Sequence, residues 1–307
     1  MPDFSSKAYW DERFTKDNKP FDWLVPAAAL RDVTADVWDT EDLPKCEILH
    51  IGCGTSDASV LRGLVETPQQ ILNLDYSDAA VQAASEREQE LLIMEEQTSD
   101  LLESETSPDD EQRSIPLQSM RWSCLDLLSL DSTLSLLERQ RAECGKLFDL
   151  VLDKSTSDSI ASGRHVSLNV PYPLSINGWT RRILRGGLHA PVEVHPLHVL
   201  ALHLAALTRP GSGRWVVISY SEDRFPFLPP FPHSASTGLL GDDVIQKGFT
   251  HPHQLWKLEK KEKLDLDARR DETLAQRRKR LSMGIVYRPQ PIHWLYVLRR
   301  TQAIITD

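Results

Sequence analysis

The stretch ILHIGCGTS at residues 48–56, followed by ILNLD at residues 71–75, decides the fold of this chain. Each contains a short apolar run, as expected of a strand buried on both faces of a parallel sheet. Gly52 and Gly54 form a Gly-x-Gly turn, where the backbone can pass close to a ligand. At the tip of the second strand, Asp75 can accept both hydroxyls of a ribose. The two segments therefore predict a site for a ligand that contains ribose.

The residue at the third position of the glycine pattern separates two classes of such ligands. In nicotinamide-dinucleotide sites a third glycine allows close helix packing beside the pyrophosphate, whereas this chain has Asp57 there. A carboxylate at the start of the expected helix would repel a pyrophosphate. It would not repel S-adenosylmethionine (SAM), which has no phosphate and carries an ammonium group. The pattern favours SAM.

Composition predicts one folded domain. The chain has 307 residues, 26% charged and 40% hydrophobic, which suits a single large α/β domain. Its net charge of −10 argues against general affinity for nucleic acid, while a basic protein substrate stays open. We expect a monomer.

Cysteine spacing and hydropathy indicate a reducing compartment. The four cysteines show no Cys-x-x-Cys spacing, which argues against a zinc site and a disulfide framework. The N-terminus lacks a basic region followed by an apolar one, and no eighteen apolar residues run together. We expect a cytoplasmic protein, with a nuclear location as the alternative and no membrane contact.

Strand and helix patterns alternate through most of the chain. Strands are predicted at residues 46–51, 71–75, 120–124, 147–153 and 214–220, and helices at 27–37, 78–92 and 195–207. This alternation predicts a doubly wound parallel sheet. The strand-like segments 254–264 and 293–299 follow without a clear crossover helix, which predicts an antiparallel pair at the sheet edge. Such an ending is typical of SAM-dependent methyltransferases of the common α/β type.

Three insertions interrupt the single predicted domain of residues 1–307, near 93–117, 163–196 and 265–290. The first is acidic and rich in Ser and Thr, so residues 95–111 are expected to form a solvated loop. The second leaves the fourth strand directly, where loops surround the ligand crevice of parallel sheets. The third carries RRKR at 277–280 and is expected to be a solvated helix or loop.

The order of the motifs resembles one branch of the class I SAM-dependent methyltransferases. The motifs are YWDERF (9–14) with FDW (21–23), IGCGTS (51–56), LDYS (74–77), DL (126–127) and LDKSTSD (152–158). They are similar to the eukaryotic branch that includes lysine methyltransferases of translation elongation factor 1-alpha. The likeness covers most of the chain outside the insertions. It implies a Rossmann-like, doubly wound, mostly parallel seven-stranded sheet with an antiparallel C-terminal hairpin.

The resemblance also implies a SAM site. Its candidate residues are Trp10, Phe14, Trp23, Gly52, Gly54, Asp75, Tyr76, Asp126 and Leu127. The glycines would leave room for the methionine end, and Asp75 would accept the ribose hydroxyls. Tyr76, Asp126 and Leu127 would contact adenine. The aromatic residues would close over the cofactor, since ring faces attract a sulfonium ion.

Structural alternatives exist for several of these residues. Asp75 is also suited to capping the segment that begins at Ser77, and Asp126 to a turn. Trp10 and Trp23 are equally suited to anchoring the N-terminal lead, the segment before the helix predicted at 27–37, to the core. The chain departs from related sequences at Phe14 and Leu24, where tyrosine or another aromatic residue is frequent.

Asp153 and Lys154 are the candidate catalytic residues, at the tip of the fourth strand. Methyl transfer needs alignment and a neutral nucleophile, so a carboxylate there would orient a substrate amine and ease its deprotonation. The structural alternative is an acid that pairs with Lys154 or caps residues 156–157. Related sequences favour glycine where Ser155 stands.

Two other chemistries are not supported by residue spacing. Five histidines lie between residues 165 and 203, but without a His-Glu-x-x-His pattern or a completing acid or cysteine pair, so no metal is expected. Ser155, Asp158 and His165 lack the Gly-x-Ser-x-Gly turn of a hydrolase.

The leading functional hypothesis is a SAM-dependent protein-lysine N-methyltransferase that acts on a translation factor or a similar protein. One alternative keeps SAM but has a small-molecule acceptor under the loop of residues 163–196. Another is a non-catalytic methyltransferase fold that serves as a binding or scaffold protein. The nicotinamide oxidoreductase hypothesis is the weakest.

Overall fold

Seven strands form one continuous sheet in the computed structural model, which describes residues 2–38, 41–103, 118–176, 191–264 and 292–306. The strands are β1 (Ile48–Ile51), β2 (Ile71–Asp75), β3 (Arg121–Cys124), β4 (Leu150–Lys154), β5 (Arg214–Ser219), β6 (Trp256–Leu264) and β7 (His293–Arg300). Their spatial order is β3-β2-β1-β4-β5-β7-β6. The first five are parallel, and β7 runs antiparallel to both β5 and β6. The predicted fold class is therefore confirmed.

Residues on the two faces of the sheet belong to two hydrophobic clusters. On β4, Val151 packs into one cluster, while Leu150 and Leu152 pack into the other. The same alternation places Trp215 and Val216 of β5 on opposite faces. Strands covered on both faces need apolar residues at successive positions, which explains the continuous apolar runs seen in the sequence.

Helices cover both faces. They are α1 (Lys7–Lys16), α2 (Ala27–Val37), α3 (Asp78–Glu103), α4 (Leu130–Cys144), α5 (Thr156–Ala161), α6 (Pro196–Leu207) and α7 (Asp242–Gln246). The predicted helix at 27–37 matches α2, and the one at 195–207 matches α6, which His195 caps by accepting a hydrogen bond from the Leu197 N–H. Every residue of α6 is buried, so α6 is a core helix between the sheet and the loops above it.

Two local predictions were wrong. The turn after β1 leads into a 3₁₀ helix, Ala58–Leu64, rather than an α-helix, and Asp57 caps it through the N–H of Ser59. The helix after β2 does not end near residue 92, because α3 continues to Glu103 and so includes the start of the expected acidic loop. Residues 104–117 lie outside the described residues.

The insertion at 163–196 contains extended segments. Val166–Leu168 pairs antiparallel with Val192–Val194, and Ser175–Ile176 pairs antiparallel with Ile305–Thr306. Residues 177–190 of this insertion, and the whole third insertion at 265–290, lie outside the described residues. Across the described ranges, no helix combines the length and apolar composition that a membrane span requires.

Candidate functional site

A cavity of about 230 Å³ opens at the carboxyl ends of β1, β2, β3 and β4. In open α/β sheets this edge is where ligands bind. The N-terminal lead, α5 and the start of α6 complete its walls. The predicted cofactor residues all line it: Trp10, Phe14, Trp23, Gly52, Gly54, Asp75, Tyr76, Asp126 and Leu127.

The glycine turn gives the cavity its floor. Gly52 and Gly54 both have φ in the left-handed region, at 58° and 53°, where a side chain is strained. A Cβ at Gly52 would overlap the side chain of Thr156, whose hydroxyl donates to the Ile51 carbonyl at 2.9 Å. Both positions therefore require glycine for the left-handed backbone. Gly52 also requires it because the Thr156 side chain fills the space that a Cβ would take.

Asp75 at the tip of β2 is 7% exposed and lies beside this turn. Its Oδ2 accepts from the Gly54 N–H, and its Oδ1 accepts from the Ser77 N–H, both at 2.9 Å. Burial raises the pKa of the carboxyl, and backbone N–H groups oppose that rise. A carboxylate offers about four acceptor positions, so Asp75 caps the segment at Ser77 and still has capacity for a ligand.

The other end of the cavity is formed after β3. Asp126 is exposed and lines the cavity. Its Oδ1 also accepts from the Leu128 N–H at 2.8 Å, so Asp126 has the turn role named as its structural alternative as well. The Leu127 carbonyl accepts from Nδ1 of the buried His203 at 2.7 Å. Burial lowers the pKa of His203 to about 4, so the ring is neutral and Nδ1 carries the proton. Tyr172 donates to the Nε2 of the same ring at 2.7 Å.

Aromatic residues of the N-terminal lead cover the cavity. The rings of Trp10 and Phe14 stack at 5.6 Å between centroids, and Trp10 lies 4.9 Å from Trp23. The Trp10 indole donates to the Phe4 carbonyl at 2.7 Å, and Ser159 of α5 donates to the same oxygen. Trp10 and Trp23 thus serve both as anchors of the lead and as walls of the cavity.

Lys154 lines the cavity at the end of β4 and is 6% exposed. Its Nζ lies 3.1 Å from Oδ1 of Asp22 and 3.4 Å from the Trp23 carbonyl. Burial lowers the pKa of this amine, and Asp22 partly opposes the shift. The side chain therefore connects the lead to the sheet at a residue that lines the cavity.

The structure places the Asp153 carboxylate away from the cavity. Asp153 is fully buried and is not among the described residues of the lining. Its Oδ1 accepts from the N–H groups of Thr156 and Ser157 at 2.8 and 3.2 Å, and the Trp215 indole lies 3.3 Å from Oδ2. This is the capping role named above as its structural alternative. Burial raises its pKa to about 7. The expectation that Asp153 contacts a substrate amine does not fit this geometry.

Several wall residues were not identified from the sequence. Ser5 comes from the lead, Ser155 and Ser159 follow β4, and Gly163 and Arg164 follow α5. The position of Ser155 directly after the tip of β4 was a usable signal, since parallel-strand ends face the ligand. Ser5 and Arg164 carried no such signal, because tertiary packing alone brings them to the cavity.

Three buried or half-buried histidines, His195, His198 and His251, pack against one another as neutral rings. His198 lies 6.2 Å from His195 and 5.6 Å from His251, and burial lowers the pKa of all three. Within the described residues, no group of three or more His, Cys, Asp or Glu side chains is arranged to hold a metal ion. Asp158 forms a 2.7 Å ion pair with Arg224. It is therefore an ion-paired acid, not one turned toward His165.

Comparison with known proteins gives a partial match. No protein-family model matches the chain. Methyltransferase srdJ of Neurospora crassa is 34% identical over 85 residues, which are 27% of this chain. The aligned region spans 34% of that relative's length.

The solved structures that match this chain are distant from it in sequence. A SAM-dependent methyltransferase from Anabaena variabilis has a TM-score of 0.43 and 12% identity, and the match covers 96% of this chain and 93% of that one. The N-methyltransferase NodS from Bradyrhizobium japonicum, in complex with S-adenosyl-L-homocysteine (SAH), has a TM-score of 0.40 and 10% identity, with coverage of 95% and 98%. The functional proposal therefore rests on the site.

Proposed function

We propose that this chain is a SAM-dependent methyltransferase. The observation that carries the proposal is the convergence of the glycine turn, Asp75 and the aromatic lead on one cavity at the strand ends. The name of the relative that matches over 85 residues supports the same class.

The chemistry of the wall suits each part of SAM. Asp75 retains acceptor capacity for ribose hydroxyls, and the glycine turn lines the cavity beside it. Trp10 and Trp23 present aromatic rings, which attract a desolvated cation by about 0.5–2 kcal/mol. Tyr76, Asp126 and Leu127 supply an apolar face and a polar edge for adenine.

SAM supplies an activated methyl group on a sulfonium, which an in-line displacement passes to a nucleophile as the bond electrons return to sulfur. The protein's contribution is mainly alignment and exclusion of water. The rings of the lead close one side of the cavity, and the ion pair between the buried Lys154 and the exposed Asp22 fixes the lead against β4. The acceptor must arrive at the β4 and α5 side, since strands β1 to β3 border the nucleoside.

The proposed acceptor is a lysine side chain of a translation factor or similar protein, supported by the ordered motifs between residues 9 and 158. One observation bears against a lysine acceptor and keeps the small-molecule alternative in the test. The carboxylate expected to deprotonate an amine, Asp153, is buried against α5 and Trp215. Incubation of a cell extract with radiolabelled SAM separates the two: label in a protein band supports lysine methylation, and label only in small solutes supports the alternative.

Calorimetric titration with SAH tests the cofactor. We expect micromolar affinity for the wild type and at least about 100-fold weaker binding for Asp75→Ala, because each hydrogen bond to a charged group contributes about 1.5–3 kcal/mol. Asp75→Asn keeps one acceptor and should fall between them. Asp57→Asn is the matched control, because Asp57 belongs to the same turn but caps the 3₁₀ helix. A wild type that binds NADH and not SAH would overturn the proposal.

A further inference from the structure

Arg164 is a cation at the cavity wall that is not paired with a described carboxylate. The residue is exposed and lines the cavity just after α5. Within the described ranges, no acid forms an ion pair with its guanidinium. Its charge acts on Asp3, but the Asp3 carboxylate accepts from the N–H and the hydroxyl of Ser5, at 3.1 and 2.6 Å. The N–H donors of Arg164 are therefore open to a ligand.

The backbone before Arg164 packs against the N-terminal lead. The Gly163 N–H donates to the Ile160 carbonyl at 3.0 Å, at the end of α5. A Cβ at Gly163 would lie 3.1 Å from the Cβ of Ser5. Since Ser5 and Ile160 also line the cavity, Arg164 enters the wall where the lead meets α5.

The backbone after Arg164 joins a short antiparallel ladder, in which Val166–Leu168 pairs with Val192–Val194. That register, continued by two positions, sets Arg164 opposite Pro196, the first residue of α6. Both residues line the cavity. Ordered elements on both sides thus hold Arg164 at the β4 and α5 side of the cavity, where the acceptor must arrive.

The charges of the described lining divide by position. Of its acids, Asp75 ends β2 and Asp126 follows β3, on the side expected to hold the nucleoside. Its cations, Lys154 and Arg164, belong to β4 and to the segment after α5. Lys154 is paired with Asp22. Arg164 therefore determines the charge that an acceptor meets on its side of the cavity.

We infer that Arg164 binds a carboxylate of the methyl acceptor. The inference rests on the proposed function and deepens it, because it names a chemical group that the acceptor carries. An acceptor between the sulfonium and Arg164 meets two cations, which repel a cationic group and attract an anionic one.

A carboxylate fits this guanidinium in geometry and in charge. A guanidinium binds a carboxylate through two parallel N–H···O bonds. One unpaired cation also matches the single charge of a carboxylate better than the charge of about −1.5 to −2 of a phosphate. The carboxylate belongs either to an acidic residue beside the accepting side chain of a protein or to a free organic acid.

Analogues of SAM test this role whatever the acceptor is. In them a carboxyalkyl chain with one, two or three methylene groups replaces the S-methyl group, and each is compared with the carboxamide of equal length. By calorimetry, the wild type should bind the carboxylate of at least one length about ten-fold more tightly than its carboxamide, the effect of a hydrogen bond between charged groups. Arg164→Gln should lose this preference, Arg164→Glu should reverse it, and Arg164→Lys should keep part of it.

Arg209→Gln is the matched control. Arg209 is also exposed, but it precedes β5 at the opposite edge of the sheet, where it pairs with Asp149. Its substitution changes the net charge equally and should leave the carboxylate preference intact. A second control is SAH itself, whose affinity should be the same for Arg164→Gln and the wild type. Weaker SAH binding by Arg164→Gln would overturn the inference, since Arg164 would then hold the cofactor's own carboxylate.

Radiolabelled SAM in a cell extract identifies the source of the carboxylate. Label in protein assigns it to an acidic residue beside the accepting side chain, and label in small solutes assigns it to an organic acid. In either fraction, Arg164→Gln should transfer label about ten-fold more slowly than the wild type when the acceptor is dilute. Equal transfer by the two proteins would overturn the inference.

Failure of the inference differs from failure of the proposed function. If the wild type prefers the carboxylate at no chain length, or if Arg164→Gln keeps the preference, the role of Arg164 is overturned while SAH still binds. If the wild type binds neither SAH nor any of the analogues, the proposed function itself fails.

Discussion

The backbone N–H of Gly54 donates to Oδ2 of Asp75 at 2.9 Å, which joins the turn after β1 to the tip of β2. Asp75 at the same time accepts from the Ser77 N–H. One carboxylate thus fixes the turn, the start of the following segment and the ribose end of the cavity. The glycine turn and the acid are therefore a single structural unit, although 21 positions separate them.

Replacing the two turn glycines with alanine should have unequal effects. Gly54→Ala should cost only the left-handed backbone penalty of about 1–2 kcal/mol. Its Cβ adds no clash, because it would lie 3.4 Å from the Phe14 ring, an ordinary contact. Gly52→Ala incurs the same penalty plus overlap with Thr156, so it should lose at least about 2 kcal/mol more. Chemical denaturation measures both free energies of unfolding.

Thr156 supplies the control for that comparison. In the Gly52→Ala background, Thr156→Ala removes the overlapping Oγ1 and Cγ2 and should recover part of the lost stability. In the wild-type background, it should only destabilise, because it removes the hydrogen bond to the Ile51 carbonyl. Additive losses in the double variant would contradict the steric explanation.

Removing an aromatic wall should change the preference between SAM and SAH. Trp10→Leu eliminates a ring that lines the cavity, and cation–π attraction contributes about 0.5–2 kcal/mol for the sulfonium only. We therefore expect the SAM affinity to fall about 2- to 30-fold more than the SAH affinity. Trp38→Leu is the control, because Trp38 lies beyond α2 and contacts Arg214. Equal losses for both ligands would show that Trp10 acts through packing alone.

Asp153 should make stability depend on pH. Its pKa is about 7 in the folded protein because of burial, against about 3.9 in an unfolded chain. Between those values the folded protein holds a proton that the unfolded chain has released, so the contribution of Asp153 to stability falls as the pH rises from about 4 to about 7. Asp153→Asn removes this titration. The free energy of unfolding of the variant minus that of the wild type should therefore increase by about 2–4 kcal/mol when the pH is raised from 4.5 to 7.5. Denaturation at the two pH values checks this, and parallel changes in both proteins would refute it.

The His203 ring should position the adenine wall. Tyr172→Phe leaves Nε2 buried without its donor and should cost about 1–3 kcal/mol of stability without changing SAH affinity. His203→Leu also releases the Leu127 carbonyl, so it should weaken SAH binding several-fold in addition. Denaturation and calorimetry separate the two effects. Unchanged SAH affinity in His203→Leu would show that Leu127 does not depend on the ring.

Most of the sheet could be predicted from the sequence, because strands buried on both faces require apolar runs and the glycine turn requires positive φ. The direction of single side chains could not. Asp153 and Lys154 are adjacent on β4, and successive side chains of a strand point to opposite faces. One of them must face away from the cavity, and only the contacts with α5, Trp215 and Asp22 decide which. The 3₁₀ helix after β1 likewise reflects tertiary packing rather than local propensity.

The contacts that hold the N-terminal lead over the cavity should slow the release of the used cofactor. Trp10, which lines the cavity, and Ser159 of α5 both donate to the Phe4 carbonyl, so this oxygen ties the lead to α5. We expect a molecule as large as SAH to leave faster when these contacts are open. We therefore expect turnover to be limited by release of the used cofactor, a step that many enzymes with closing segments share. A pre-steady-state burst of methylated product followed by slower turnover is the expected time course.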